Sequence, residues 1–162
     1  MKFKQSSPSS AFSAVFGIFG ALAVIGFSPL AQADLLGLNL GVLTGGSLNS
    51  TASTSSYAWG VTANYKLPLM GLQVGAEYLN IGGGSQVTGH LDYYLLDTFF
   101  VGALAGAQLS SSSSTLYGAE SAISFDLGEG LDIGPKLELN YSTPGGVSTF
   151  VTNALVLLRY HL

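Results

Sequence analysis

The chain has 162 residues, 48% of them hydrophobic, with 22 glycines, no cysteine and 9% charged residues. A soluble domain carries roughly 25% charge, so this supply excludes an ordinary cytosolic domain, while the missing thiols exclude disulfides, cysteine zinc sites and thiol catalysis. A net charge of −4 with five Lys and Arg in all excludes a phosphate-binding face for nucleic acid.

Residues 1–33 read as an export signal. Lys2 and Lys4 give a positive start, residues 11–27 are apolar, and Pro29 breaks any helix just beyond. Ala31-Gln32-Ala33 then supplies the small-x-small site of a signal peptidase, with Asp34 next. Gly17, Gly20 and Gly26 favour cleavage over retention as an anchor, and no Arg-Arg pair points to the twin-arginine route, leaving the Sec translocon. Cleavage leaves residues 34–162 as one domain, in which Lys66, Lys136 and Arg159 face all nine carboxylates of the chain.

From Asp34 onward the dominant period is two. Leu36, Leu38, Leu40 and Val42 share one face, opposite Gly37, Asn39 and Gly41. In residues 57–67, Tyr57, Trp59, Val61, Ala63, Tyr65 and Leu67 take one face, and Gly60, Thr62, Asn64 and Lys66 the other. Similar segments follow near 71–80, 86–96, 98–109, 116–127, 131–141 and 148–162. Such alternation predicts strands with two unlike surfaces, eight in all, each about 10–12 residues long, as a tilted membrane-crossing strand requires. A spanning helix needs roughly twenty apolar residues. The longest such run after the signal, residues 99–107, is shorter and holds Gly102 and Gly106.

Connections rich in Ser, Thr, Gly or Asn at 46–56, 80–85, 110–115 and 142–148 alternate with tighter links at 68–70, 96–97 and 128–130. This order predicts an antiparallel up-and-down barrel with long loops at one end, facing outside, and tight turns and both termini at the periplasmic end. The glycine run at 82–84 reads as a hairpin tip, since no lysine follows as in a phosphate loop.

Aromatic residues on the apolar face sort into two bands. Tyr57, Trp59, Tyr78, Tyr117, Tyr141 and Phe150 fall near the longer loops; Tyr65, Tyr93, Phe99, Phe125 and Tyr160 fall near the tight turns or the C-terminus. Tyr94 and Phe100 have the opposite parity. Val61, Val74, Leu91, Val101, Leu137 and Val156 occupy the middle. Paired aromatic girdles around an aliphatic band mark a membrane barrel, because amphipathic rings favour headgroup depth. A soluble barrel would turn these rings inward and give them no reason to avoid mid-strand.

With these features the chain resembles the small eight-stranded bacterial outer-membrane barrels, which include the transmembrane domain of outer membrane protein A and the outer membrane X and W proteins. The resemblance is architectural and covers residues 34–162. It implies a multi-pass barrel in the outer membrane of a Gram-negative bacterium, with membrane lipid as its surroundings and periplasmic chaperones and the barrel-assembly machinery as partners in biogenesis. It also implies an assembly signal in the last strand, here Leu158, Tyr160 and Leu162, where the family usually ends in Phe.

The opposite parity places Glu77, His90, Asp92, Glu120, Lys136 and Glu138 along the lumen, and Lys66, Asp126, Asp132, Arg159 and His161 near the periplasmic mouth. An eight-stranded barrel is narrow enough for side chains to fill it, so these charges are expected to pair as a plug. The excess of carboxylates over Lys136 leaves open a gated ion path. His90 and Asp92 are neighbours on one strand face with no serine at a telling spacing, so neither a catalytic triad nor a persuasive metal site is read here. The expectation is a non-enzymatic envelope or surface barrel without cofactor. The alternative is a porin-like narrow channel or transporter for ions or small, including hydrophobic, solutes.

Overall fold

The computed structural model describes residues 37–68, 71–109 and 113–162. The export signal, its cleavage residues Ala31 and Ala33, and Leu36 lie outside the described residues, as do parts of the 68–70 and 110–115 connections. Nine strand segments make eight staves: β1 (Leu38–Asn49), β2 (Thr54–Lys66), β3 (Leu72–Ile81), β4 (Gly84–Leu96), β5 (Phe99–Leu109), β6 (Ser114–Ile123), β7 (Phe125–Gly128), β8 (Leu131–Ser142) and β9 (Thr149–His161). β6 and β7 form one stave interrupted at Ser124, and both pair with β8. Each stave pairs antiparallel with the next in sequence, and β1 pairs with β9 to close the ring. The fold is therefore a closed eight-stranded antiparallel barrel. A single 3-10 turn, Pro144–Gly146, is the one helical piece among the described residues.

The loops depart from the expected long-short alternation. Residues 46–49 and 54–56, read as loop, instead extend β1 and β2, pairing Gly46 with Tyr57 and Asn49 with Thr54. Likewise 80–85 shrinks to Gly82 and Gly83, both with positive φ (56° and 91°), flanked by paired Ile81 and Gly84. At the end shared by Lys66, Leu96 and His161, the link 67–71 is longer than this hairpin. The physical reason is that ladder hydrogen bonds join backbones. Hydroxyl-bearing side chains, Thr above all, suit a strand as long as one face can be wet. A two-residue turn with both φ positive then closes the hairpin at a twist that matches the strands.

Two irregularities shape the wall. The β4–β5 register shifts between Tyr94 and Leu96, and Tyr94 and Phe100 turn inward with ring centroids 5.4 Å apart. In β8, Pro135 has no N–H to donate, and regular β6–β8 pairing stops at Ala122–Lys136, to resume as β7–β8 at Phe125–Ile133. A strand proline accounts for such a lapse. Beside it the wall holds a crevice of 280 Å³ lined by Phe99, Ile123, Pro135, Leu137 and Ala154 among others.

The barrel is inside out relative to a soluble one. Val61, Leu91, Val101, Leu137, Leu139 and Val156 face outward and are exposed. The buried residues are mainly polar, among them Asn39, Thr62, Asn64, Gln73, Glu138, Asn140 and Asn153. One apolar layer crosses this interior: Leu43, Ala58, Leu79, Leu155 and Leu157, with Ile81 against it.

Candidate functional site

The residues facing inward meet because four staves bring them to one level. Register pairs Glu120 of β6 with Glu138 of β8, and Gly75 of β3 with His90 of β4. Glycine makes the space. A Cβ on Gly75 would fall onto Asn64 Oδ1 and the His90 ring, and one on Gly102 would fall onto Asp92 Oδ1. Absence of a side chain at these positions is what admits long polar neighbours into so narrow a barrel.

Lys136 forms the centre. Its Nζ donates to Glu77 Oε2 and lies 2.9 Å from Glu120 Oε2 and 3.0 Å from Glu138 Oε1. Its side chain is 2% exposed, as is that of Glu77, and Glu138 is fully buried. Asn140 Nδ2 and Asn153 Nδ2 donate to Glu138 Oε2 at 3.3 and 2.9 Å. On the other side of Glu120, His90 Nδ1 lies 2.8 Å from Asp92 Oδ2 and 3.0 Å from Glu120 Oε1. The six residues read from the sequence as lumenal, Glu77, His90, Asp92, Glu120, Lys136 and Glu138, thus form one contiguous buried group.

A second group sits toward the end that carries the C-terminus. Arg159 Nη2 donates to Asp132 Oδ2 at 2.7 Å and to Ser124 Oγ at 2.9 Å, and Nη1 donates to the Tyr94 hydroxyl at 2.8 Å. His161 Nε2 lies 2.9 Å from the same Asp132 oxygen. Gln73 joins the two groups. Its Nε2 donates to Asp92 Oδ2 at 2.9 Å and its Oε1 accepts from Tyr94 at 3.0 Å. Hydrogen bonds and ion pairs therefore run unbroken from Arg159 to Asn153. Lys66, Asp126, Asp132, Arg159 and His161 all line a vestibule of 570 Å³ at this end. Lys66 Nζ lies 4.4 Å from the Tyr94 ring centroid, within reach of a cation–π contact. Arg159, although it borders the vestibule, is buried. Asp126 is exposed and accepts the Gly128 N–H at 2.7 Å, bracing the β7–β8 turn.

Sequence reasoning did not single out Gln73, Asn140, Asn153 or Ser124 as partners of these charges, nor the apolar layer around Leu79. Parity carries the signal for Gln73, Asn140 and Asn153. For Ser124 and the lapse beside it, the signal was Pro135 inside a strand.

The outer face carries the aromatic residues. Tyr57, Trp59, Tyr93, Tyr117, Phe125, Phe150 and Tyr160 are exposed, and Tyr65, Tyr78, Phe99 and Tyr141 are partly so. Toward the hairpin end they touch: Trp59 meets Tyr78 edge-on at 6.2 Å, and Tyr141 lies 5.0 Å from Tyr117 and 4.9 Å from Phe150. Their hydroxyls reach polar neighbours, Tyr57 to Thr44 (2.6 Å), Tyr78 to Ser85 and Tyr141 to Ser148 (both 2.8 Å). In the last strand, Leu158, Tyr160 and Leu162 share the outward parity, Leu158 half-buried and the other two exposed.

No protein-family profile matches the sequence, and no curated protein matches it. Among solved structures the chain is similar to the crystal structure of Neisserial surface protein A, with a TM-score of 0.60 and 12% identity over 77% of this chain and 96% of that one. At that identity the likeness is one of fold: both chains close into the same kind of small β-barrel.

Proposed function

We propose that the chain is a non-enzymatic, integral outer-membrane barrel of a Gram-negative bacterium, plugged by its own polar interior and serving envelope integrity or a surface role. The observation that carries this reading is the inversion of the barrel: aliphatic residues between aromatic bands outside, and paired charges inside. An exposed belt of this size is unstable in water and suits hydrocarbon flanked by headgroups. A surface role also fits the similarity to a barrel whose name calls it a surface protein. On this reading the Sec translocon exports the chain, signal peptidase releases it after Ala33, and periplasmic chaperones and the assembly machinery insert it, reading Leu158, Tyr160 and Leu162.

Heat-modifiable gel mobility of protein refolded in detergent tests the barrel. The unboiled form should migrate differently from the boiled one, and identical mobility together with helical circular dichroism would refute it. A narrow channel is the second reading, favoured by the 570 Å³ vestibule at one end and a 170 Å³ cavity lined by Ser47, Ser56, Gln86 and Gln108 at the other. Planar-bilayer recording separates the two: the plug predicts no steady conductance, whereas reproducible unitary steps that change in a folded Lys136→Ala barrel would support a path through exchanged ion pairs, and steps unchanged by that substitution would count against a gate.

A further inference from the structure

The central group is short of positive charge. Glu77, Asp92, Glu120 and Glu138 share Lys136 and His90, four acids to two bases, so with both bases protonated the buried site balances only if two carboxyls keep a proton or a further cation joins them. Charges withdrawn from water need partners at hydrogen-bond distance. Glu138 has two asparagine donors besides Lys136, and Asp92 has Gln73. Glu120 has no amide donor among the described residues.

The shortage is sharpest at His90. Its Nδ1 can carry one proton, which serves Asp92 Oδ2 at 2.8 Å. Glu120 Oε1, only 3.0 Å from the same nitrogen, is left with no hydrogen bond, although its side chain is 1% exposed. Asp92 Oδ1 is also unpartnered, as is His90 Nε2. Two acceptors thus converge on one nitrogen that can satisfy one of them. An ion in place of that proton satisfies both. With metal–ligand bonds of about 2.1 Å, separations of 2.8 and 3.0 Å subtend roughly 85–90° at the metal, narrower than the tetrahedral angle and suited to the five- or six-coordinate shells open to first-row ions, Zn²⁺ included. The three ligand atoms lie within 4.8 Å of one another and all three residues are buried.

We propose that His90, Asp92 and Glu120 bind one divalent first-row transition ion inside the barrel through His90 Nδ1, Asp92 Oδ2 and Glu120 Oε1. One imidazole with two carboxylates favours such ions over Mg²⁺ or Ca²⁺, which prefer oxygen throughout. With all four carboxyls ionised and His90 neutral, bound metal leaves one uncompensated negative charge where Lys136 and a protonated His90 would leave two. The other acidic trio, Glu77, Glu120 and Glu138, already holds the Lys136 ammonium. The ion would enter as the barrel closes, and the site is independent of whether the lumen conducts.

The test is refolding of the full barrel with Zn²⁺, passage over chelating resin, and metal analysis by mass spectrometry, with folding of every variant checked by heat-modifiable mobility. Wild type should keep about one Zn²⁺ per barrel. His90→Ala and Asp92→Asn should each retain less than a tenth of that, and His161→Ala, altered at the more exposed vestibule histidine, should retain it all. Folded wild type without zinc, or folded His90→Ala with as much as wild type, would overturn the proposal. Should those variants not fold, X-ray absorption of the zinc-loaded His161→Ala barrel, in which His90 is the one remaining imidazole, decides. One imidazole nitrogen with oxygen ligands supports the site, and a shell of oxygen only refutes it.

Discussion

At the scale of single residues, Lys136 and glycine govern the interior. Lys136 is the only buried lysine among the described residues and touches three carboxylates. Removing one partner of a buried ion pair commonly costs about 3–5 kcal/mol, because the remaining charges stay buried and uncompensated. Lys136→Met should therefore lower barrel stability by that order in urea unfolding followed by Trp59 fluorescence, and adding Glu120→Gln should recover part of the loss. The inward position of Lys136 and of its acidic partners was legible as parity. That Lys136 meets Glu77 from a distant strand was not, because the contact depends on how strands are staggered around the ring.

At the scale of elements, two tests separate backbone from side-chain control. Gly83 sits at φ 91° with no heavy atom within 4 Å of where a methyl group would stand. Gly84 begins β4 with ordinary φ, and only the Ile81 carbonyl oxygen, at 3.6 Å, comes near the same position. Left-handed backbone costs a residue with a Cβ about 1–2 kcal/mol. Gly83→Ala should thus destabilise the β3–β4 hairpin by roughly that amount, and Gly84→Ala should be near neutral in the same unfolding assay. On the outer face, Leu137 lies mid-strand and Leu127 beside the β7–β8 turn. If the belt meets lipid, arginine at Leu137 should cost about 2–4 kcal/mol in vesicles and at Leu127 about 0–1. Equal costs would argue against a bilayer around this wall. Strand parity and length were readable because a period of two survives along each stave. The strand ends were misplaced where Ser and Thr continue the ladder, since polarity there reports wet side chains and leaves backbone pairing undetermined.

For the whole molecule, the export reading predicts a mature protein that begins at Asp34. N-terminal sequencing of barrel from a Gram-negative host should find this start, and Ala33→Leu should block processing and leave a heavier precursor. The sequence by itself determined the class of fold, the number of staves and which face is polar, since alternation, turn residues and aromatic placement are local properties of each strand. Only the tertiary structure decided the rest. Ring closure between β1 and β9 set the register, and register chose which inward residues meet: Lys136 among three glutamates, Arg159 on Asp132, and His90 between Asp92 and Glu120. Contacts across a lumen join residues far apart in the chain. No pattern along one strand encodes the stagger that brings them together.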